Sequence, residues 1–205
     1  MNFLAHAYLS FNQPNILIGQ MISDFVKGKK QYDYPEAIQA GIKLHRAIDD
    51  FTDSHAATHE AKQYFRADYR LYAGAFIDVV YDHFLATDIS IFPTPEMLMQ
   101  TALQTYTTLQ ENYSVLPENF QQMLPYMQQH NWLFNYRSMD GISKSFAGLV
   151  RRSTYLDDSI TALAILEKNY IALKNCYQEF FPQVLAMAQN WLANNNENQA
   201  GTLLG

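Results

Sequence analysis

The chain is short of the residues on which several function classes depend. Of its 205 residues one is a cysteine, Cys176, so no disulfide can form within it and no cysteine-rich zinc site can be built. A lone thiol in a chain of this length points to a reducing cytoplasm. The opening residues Met1-Asn2-Phe3-Leu4 lack the basic start of a secretion signal, and no apolar run approaches the roughly 18 residues of a membrane span. Glycine is scarce, at 8 residues, and neither a glycine-rich phosphate loop nor a nucleophile elbow is present. Lys and Arg number 14 against 20 Asp and Glu, and the net charge of −6 argues against a nucleic-acid partner, whose phosphates call for broad positive surfaces. Alternating β patterns and Asn-Gly hairpin signals are missing as well.

What is present is helical. Surface scaling lets a chain of this size bury about 70% of its unfolded surface in one core. Thr94-Pro95-Glu96, Asp33-Tyr34-Pro35-Glu36 and Leu116-Pro117-Glu118 have the look of helix starts, with proline where the missing N–H costs nothing. Apolar residues recur at steps of three and four, as in Ile38, Ile42, His45 and Asp49, or Leu71, Ala75, Asp78, Val79 and Asp82. The expected architecture is a single compact all-α domain over 1–193. Its helices are expected at about 2–11, 14–27, 35–53, 56–66, 68–88, 95–113, 117–130, 138–150 and 155–195, the last kinked or broken near Pro182. A polar tail, 194–205, is expected to be disordered.

Two of these faces carry ionisable residues where a core position is normally apolar. His45 and Asp49 extend one stripe; Asp78 and Asp82 lie one turn apart on another, with His83 next. A buried carboxylate without a partner costs several kcal/mol, so cations or strong donors must lie opposite. Two readings follow. In one, the carboxylates are met by Arg46 or another basic group and His45 is a hydrogen-bonded core histidine. Alternatively, with Asp24 and His6 on two further helices, they form a metal site whose imidazole and carboxylate ligands suit Mn²⁺, Fe²⁺ or Mg²⁺. His55 and His59 share i, i+4 spacing but sit in a polar stretch and read as surface histidines. His130 reads as a helix C-terminal residue, and Cys176 as a core residue with no nearby histidine to activate it.

Four blocks in order carry a resemblance: Met1-Asn2-Phe3-Leu4-Ala5-His6, Ser23-Asp24-Phe25-Val26-Lys27-Gly28, Gly41-Ile42-Lys43-Leu44-His45-Arg46-Ala47-Ile48-Asp49 with Thr52-Asp53, and Asp78-Val79-Val80-Tyr81-Asp82-His83-Phe84-Leu85. Together they resemble the bacterial acyl carrier protein phosphodiesterases over residues 1–90, and Trp132-Leu133 with Tyr136-Arg137-Ser138-Met139-Asp140 extends the likeness. That family is similar to the all-helical HD-domain phosphohydrolases, although Asp82-His83 reverses the dipeptide that names them. The resemblance implies an HD-phosphohydrolase-like fold and Mn²⁺-dependent hydrolysis of holo acyl carrier protein to apo protein and 4′-phosphopantetheine. The residues in its blocks then divide into an expected metal set of Asp24, His45, Asp78, Asp82 and His83, and expected catalytic groups His6, His45 and Asp49.

The expected partner is holo acyl carrier protein, acidic as a family, with neither a nucleic acid nor a membrane involved. An acidic enzyme meets an acidic partner through local positive charge. Lys27, Lys29, Lys30 and Arg46 are the basic residues tied in sequence to Asp24 and His45, and they are the expected docking residues. Two other functions are open on the residues alone: a metal phosphohydrolase for a small phosphate ester or nucleotide, and a non-catalytic helical adaptor with buried salt bridges.

Overall fold

Every regular element among the described residues is a helix. The computed structural model describes residues 1–156 and 158–202, with side chains through Asn195. The α-helices are α1 (Phe3–Tyr8), α2 (Pro14–Ile22), α3 (Glu36–Ser54), α4 (Ala56–Tyr69), α5 (Ala73–Ala86) and α6 (Pro95–Glu111), then α7 (Glu118–Gln129), α8 (Trp132–Asn135), α9 (Met139–Arg152), α10 (Ile160–Lys168) and α11 (Tyr170–Thr202). Short 3₁₀ turns at Ser23–Phe25, Gly28–Asp33, Arg70–Tyr72 and Tyr113–Val115 join some of them. None of the described helices is long and apolar enough to cross a membrane.

The core runs from α1 through α11 and is rich in rings. Phe65 and Phe76 stack at 5.8 Å with Phe146 edge-on to both, and Tyr81 stacks on Phe180 at 5.0 Å. Offset and edge-on pairs of this kind add to the burial of the rings themselves. Cys176 is buried in this core, and burial pushes its thiol up to about 11, well away from the reactive range.

One contact positions the functional residues. At Gly19 of α2 and Gly41 of α3 the two backbones touch: a Cβ on Gly19 would overlap the Ile38 carbonyl oxygen, and one on Gly41 would overlap that of Ile16. The pair thus packs closer than side chains would permit. Gln20 follows one glycine and His45 lies one turn after the other, so the contact brings these two together.

The expected helix starts hold at Pro95, which opens α6, and at Pro35 and Pro117, which precede α3 and α7. Four differences have local causes. The first helix stops at Tyr8 because Phe11 and Asn12 take left-handed backbone angles. Leu71 does not join the apolar face of α5; it lies in a 3₁₀ turn, 98% exposed, after Arg70 closes α4 with φ of 47°. A one-turn helix, α8, begins after Asn131 in the left-handed region. The break expected near Pro182 falls instead at Asn169, which caps α10 and donates its side-chain amide to the Ile165 carbonyl, while Pro182 is accommodated exposed inside α11. Helix α11 reaches Thr202, into the expected tail, and 203–205 lie outside the described residues.

Candidate metal centre

The stripe Ile38, Ile42, His45 and Asp49 of α3 forms one wall of the centre, its apolar members fully packed. Opposite it stands α1. His6 and His45 stack ring on ring at 3.8 Å, both buried, and Asp49 touches both: its Oδ1 lies 3.3 Å from His6 Nε2 and its Oδ2 3.1 Å from His45 Nε2. Asp24, in the 3₁₀ turn after α2, brings Oδ1 to 3.3 Å from His45 Nε2. Among the described residues, His6, His45 and Asp49 are the group whose ligand atoms converge, all within 4.8 Å of one another. The imidazoles are enclosed, but the Asp49 and Asp24 side chains are 41% and 72% exposed, so the centre opens to solvent on its carboxylate side.

Hydrogen bonds occupy the far side of each ring. His6 Nδ1 lies 2.9 Å from the side-chain oxygen of Gln20, and His45 Nδ1 lies 2.8 Å from the Gln20 backbone carbonyl. The two Nε2 atoms, by contrast, are buried and meet only the carboxylates of Asp49 and Asp24, as ion-pair contacts at 3.1 to 3.3 Å. Buried polar atoms are normally satisfied, so this pair calls for a proton or a cation.

Electrostatics separates the two rings. Burial lowers His6 to about 4, helped by the neighbouring His45. Burial also acts to lower His45, but Asp24 and Asp49 outweigh it and hold the ring at about 9. Burial disfavours the Asp49 charge, yet His45, His6 and the Met1 ammonium overcome this and hold its carboxyl well below the usual range. Asp24 is lowered chiefly by His45. The donor set, two imidazoles and two carboxylates, is of the kind that could hold a divalent cation.

A family model described as acyl carrier protein phosphodiesterase matches residues 1–184. The acyl carrier protein phosphodiesterase of Escherichia coli O157:H7 (strain EC4115 / EHEC) is 33% identical over 192 residues, covering 92% of this chain and 97% of its own length. That of Shigella boydii serotype 18 (strain CDC 3083-94 / BS512) is 33% identical over 194 residues, covering 93% and 98%. This chain belongs to the acyl carrier protein phosphodiesterase family. No solved structure matches it.

Within this member of the phosphodiesterase family, the expected metal set divides. Asp24 and His45 stand at the centre with His6 and Asp49. Asp82 does not join them: fully buried, it accepts from the backbone amides of Asn2, Leu4 and Ala5 at 3.2, 2.7 and 3.3 Å. It therefore neutralises the positive N-terminal end of α1. Burial pushes it up to about 7 against the pull of the Met1 ammonium and these amides. Asp78 accepts from the Met1 ammonium at 2.9 Å, and that ammonium also lies 3.7 Å from Asp49. Asp78 and Asp49 together outweigh burial and hold the Met1 amine at about 10. The donors that the α5 carboxylates demanded are thus amides and an ammonium. His83 is also placed elsewhere, with Nδ1 donating to the Tyr136 carbonyl at 2.8 Å and Nε2 bonded to the Tyr170 hydroxyl at 2.9 Å.

Lys27, Lys29 and Lys30 are exposed on the segment that follows Asp24, where Gly28 supplies a φ of 58°. Arg46 is half-buried and engaged, donating to the Gln31 side-chain oxygen at 2.8 Å and the Val26 carbonyl at 3.1 Å, so it anchors the lysine segment to α3 beside His45. His55 caps α4 by accepting from the Ala57 amide, and exposed His59 contacts the Asp53 carbonyl; neither belongs to the centre's ligand group. His130 is the C-terminal cap of α7. Sequence reasoning missed Gln20 and Ser10. The one available signal was a polar residue inside the apolar run Ile16-Leu17-Ile18-Gly19-Gln20-Met21-Ile22.

Proposed function

We propose that this protein hydrolyses the phosphodiester joining 4′-phosphopantetheine to acyl carrier protein, giving apo carrier, and that it needs a divalent cation, Mn²⁺ first and Mg²⁺ or Fe²⁺ as substitutes. The observation that carries the reading is the pair of buried Nε2 atoms of His6 and His45 beside Asp49 and Asp24. These four residues would hold the cation. When bound there, it would offset the phosphodiester's negative charge and make hydroxide available near neutral pH.

The protein's own groups supply the rest. Asp49, the lowered carboxylate, stays ionised and offers one oxygen to each Nε2, at 3.3 Å from His6 and 3.1 Å from His45. As water's oxygen bonds to phosphorus and the bond from phosphorus to the carrier serine oxygen breaks, that oxygen must take a proton, and the proton given up by the attacking water, passed through solvent on the exposed carboxylate side of the centre, balances it. The exposed lysines at 27, 29 and 30 face an acidic carrier, and Arg46 holds their segment beside the centre. A cytoplasmic setting, where the Cys176 thiol stays reduced, completes this reading.

A gel assay of holo-to-apo conversion tests it. Mobility of the carrier should shift on incubation with enzyme and Mn²⁺. No shift, together with turnover of a small phosphate ester or nucleotide, would move the substrate to that class. Neither activity, with no metal bound, would leave a helical adaptor.

A further inference from the structure

Gln20 is fully buried and touches both histidines of the centre, one through its side chain and one through its backbone. The hydrogen-bond chain around it has only one consistent direction. Ser10 Oγ donates its proton to the His6 carbonyl at 2.8 Å, so it can only accept from Gln20 Nε2, 3.4 Å away. The Gln20 amide is thereby oriented with nitrogen toward Ser10 and oxygen toward His6. His6 Nδ1 must then carry the hydrogen, and the lone pair of the neutral ring falls on Nε2. For His45 the argument is shorter: a backbone carbonyl can only accept, so Nδ1 carries a hydrogen, and Nε2, which bears the second proton while Asp24 and Asp49 keep the ring charged, is the atom that would give up its proton to bind. That carbonyl lies in the last turn of α2, where intrahelical partners run out, and the Gly19 and Gly41 contact brings it within reach of α3.

We infer that Gln20 is a positioning residue: through its side chain and its carbonyl it sets both imidazoles in the Nδ1–H form, so that both Nε2 atoms face Asp49. The assignment rests on the metal reading for what the rings bind, although the ring geometry itself does not. Partners of this kind orient ligand imidazoles, and their loss typically weakens metal affinity about 10- to 100-fold.

The two arms of the test separate the claims. In the first, nitrogen NMR at pH 7 on the full chain without added metal reads the His6 ring, which is expected in the Nδ1–H form. Gln20→Leu should abolish that preference, and Gln20→Glu, which keeps an acceptor oxygen, should restore it. In the second, Mn²⁺ titration followed by EPR should give an affinity about 10- to 100-fold weaker for Gln20→Leu, with Gln20→Glu recovering most of the loss. If Gln20→Leu does not fold, Ser10→Ala is read instead; freeing the amide to turn over should mix the His6 forms. An unchanged His6 preference in Gln20→Leu, or in Ser10→Ala where that variant is read, would overturn the inference. So would equal Mn²⁺ affinity in wild type and Gln20→Leu. If the wild type binds no Mn²⁺, the metal reading fails and the NMR arm alone decides the role of Gln20.

Discussion

His45 Nδ1 and the Gln20 carbonyl are joined by a 2.8 Å hydrogen bond across the place where α2 and α3 touch. A close approach that the fold requires and the site's geometry therefore share one contact. Alanine at Gly41 would drive its Cβ into the Ile16 carbonyl and force the helices apart. Gly41→Ala should cost about 2–3 kcal/mol of stability by overpacking, and the fraction that still folds should turn over substrate poorly. Thermal melting and the conversion assay check this. An unchanged melting temperature would show that the helices tolerate the separation.

Asp82 and Asp49 should fail in opposite ways. Asp82→Ala strips three backbone amides, two of them fully buried, of their acceptor, and stability should fall by about 3 kcal/mol. Mn²⁺ bound per folded molecule should stay within about twofold of wild type. Asp49→Ala should keep the helical spectrum and lose both metal and turnover. Loss of metal from folded Asp82→Ala would return that residue to the ligand set.

The sequence showed that carboxylates on apolar stripes need cations or strong donors, and this logic holds for both stripes. It could not show which need is met by the protein itself. Asp78 and Asp82 are met by the start of α1, about 80 residues earlier in the chain, a pairing that only the fold creates. His6, His45, Asp24 and Asp49 lie in blocks legible from sequence, and the i, i+4 spacing of His45 and Asp49 places both on one helix face. Gln20 was marked only by its polarity within an apolar run, because half of its importance lies in a backbone carbonyl, which carries no residue signature. Helix starts marked by proline were readable, as was the end of α7 near 130; the stops set by left-handed Phe11 and Arg70 were not, since no glycine marks them.

His83 gives the pH dependence of stability a definite sign. Burial lowers its pKa from an unfolded value near 6.5, and it does so against the bond to the Tyr136 carbonyl, which favours the charged ring, and with help from the Lys174 charge. The unfolded chain thus binds the proton more readily. Stabilisation from this residue is complete above about pH 6.5 and is lost as pH falls through that value toward the lower folded pKa. Urea denaturation of wild type and His83→Gln between pH 7 and pH 5 should show the wild type losing more stability across the interval. Parallel curves would contradict the assignment.

Charge reversal on the docking segment should act on encounter. The Lys27→Glu, Lys29→Glu, Lys30→Glu variant should raise the apparent KM for holo carrier far more than it lowers kcat, and should flatten the fall of kcat/KM with added salt. Unchanged KM and salt dependence would place the docking surface elsewhere.

The central claim is that the histidine and carboxylate cluster works through a divalent cation. The direct measurement is holo-to-apo conversion by protein stripped with a chelator, assayed before and after Mn²⁺ is restored, beside His45→Ala treated in the same way. Stripped wild type should be inactive and regain conversion on addition of Mn²⁺, while His45→Ala should stay inactive in both states. Full conversion by the metal-free wild type would contradict the account.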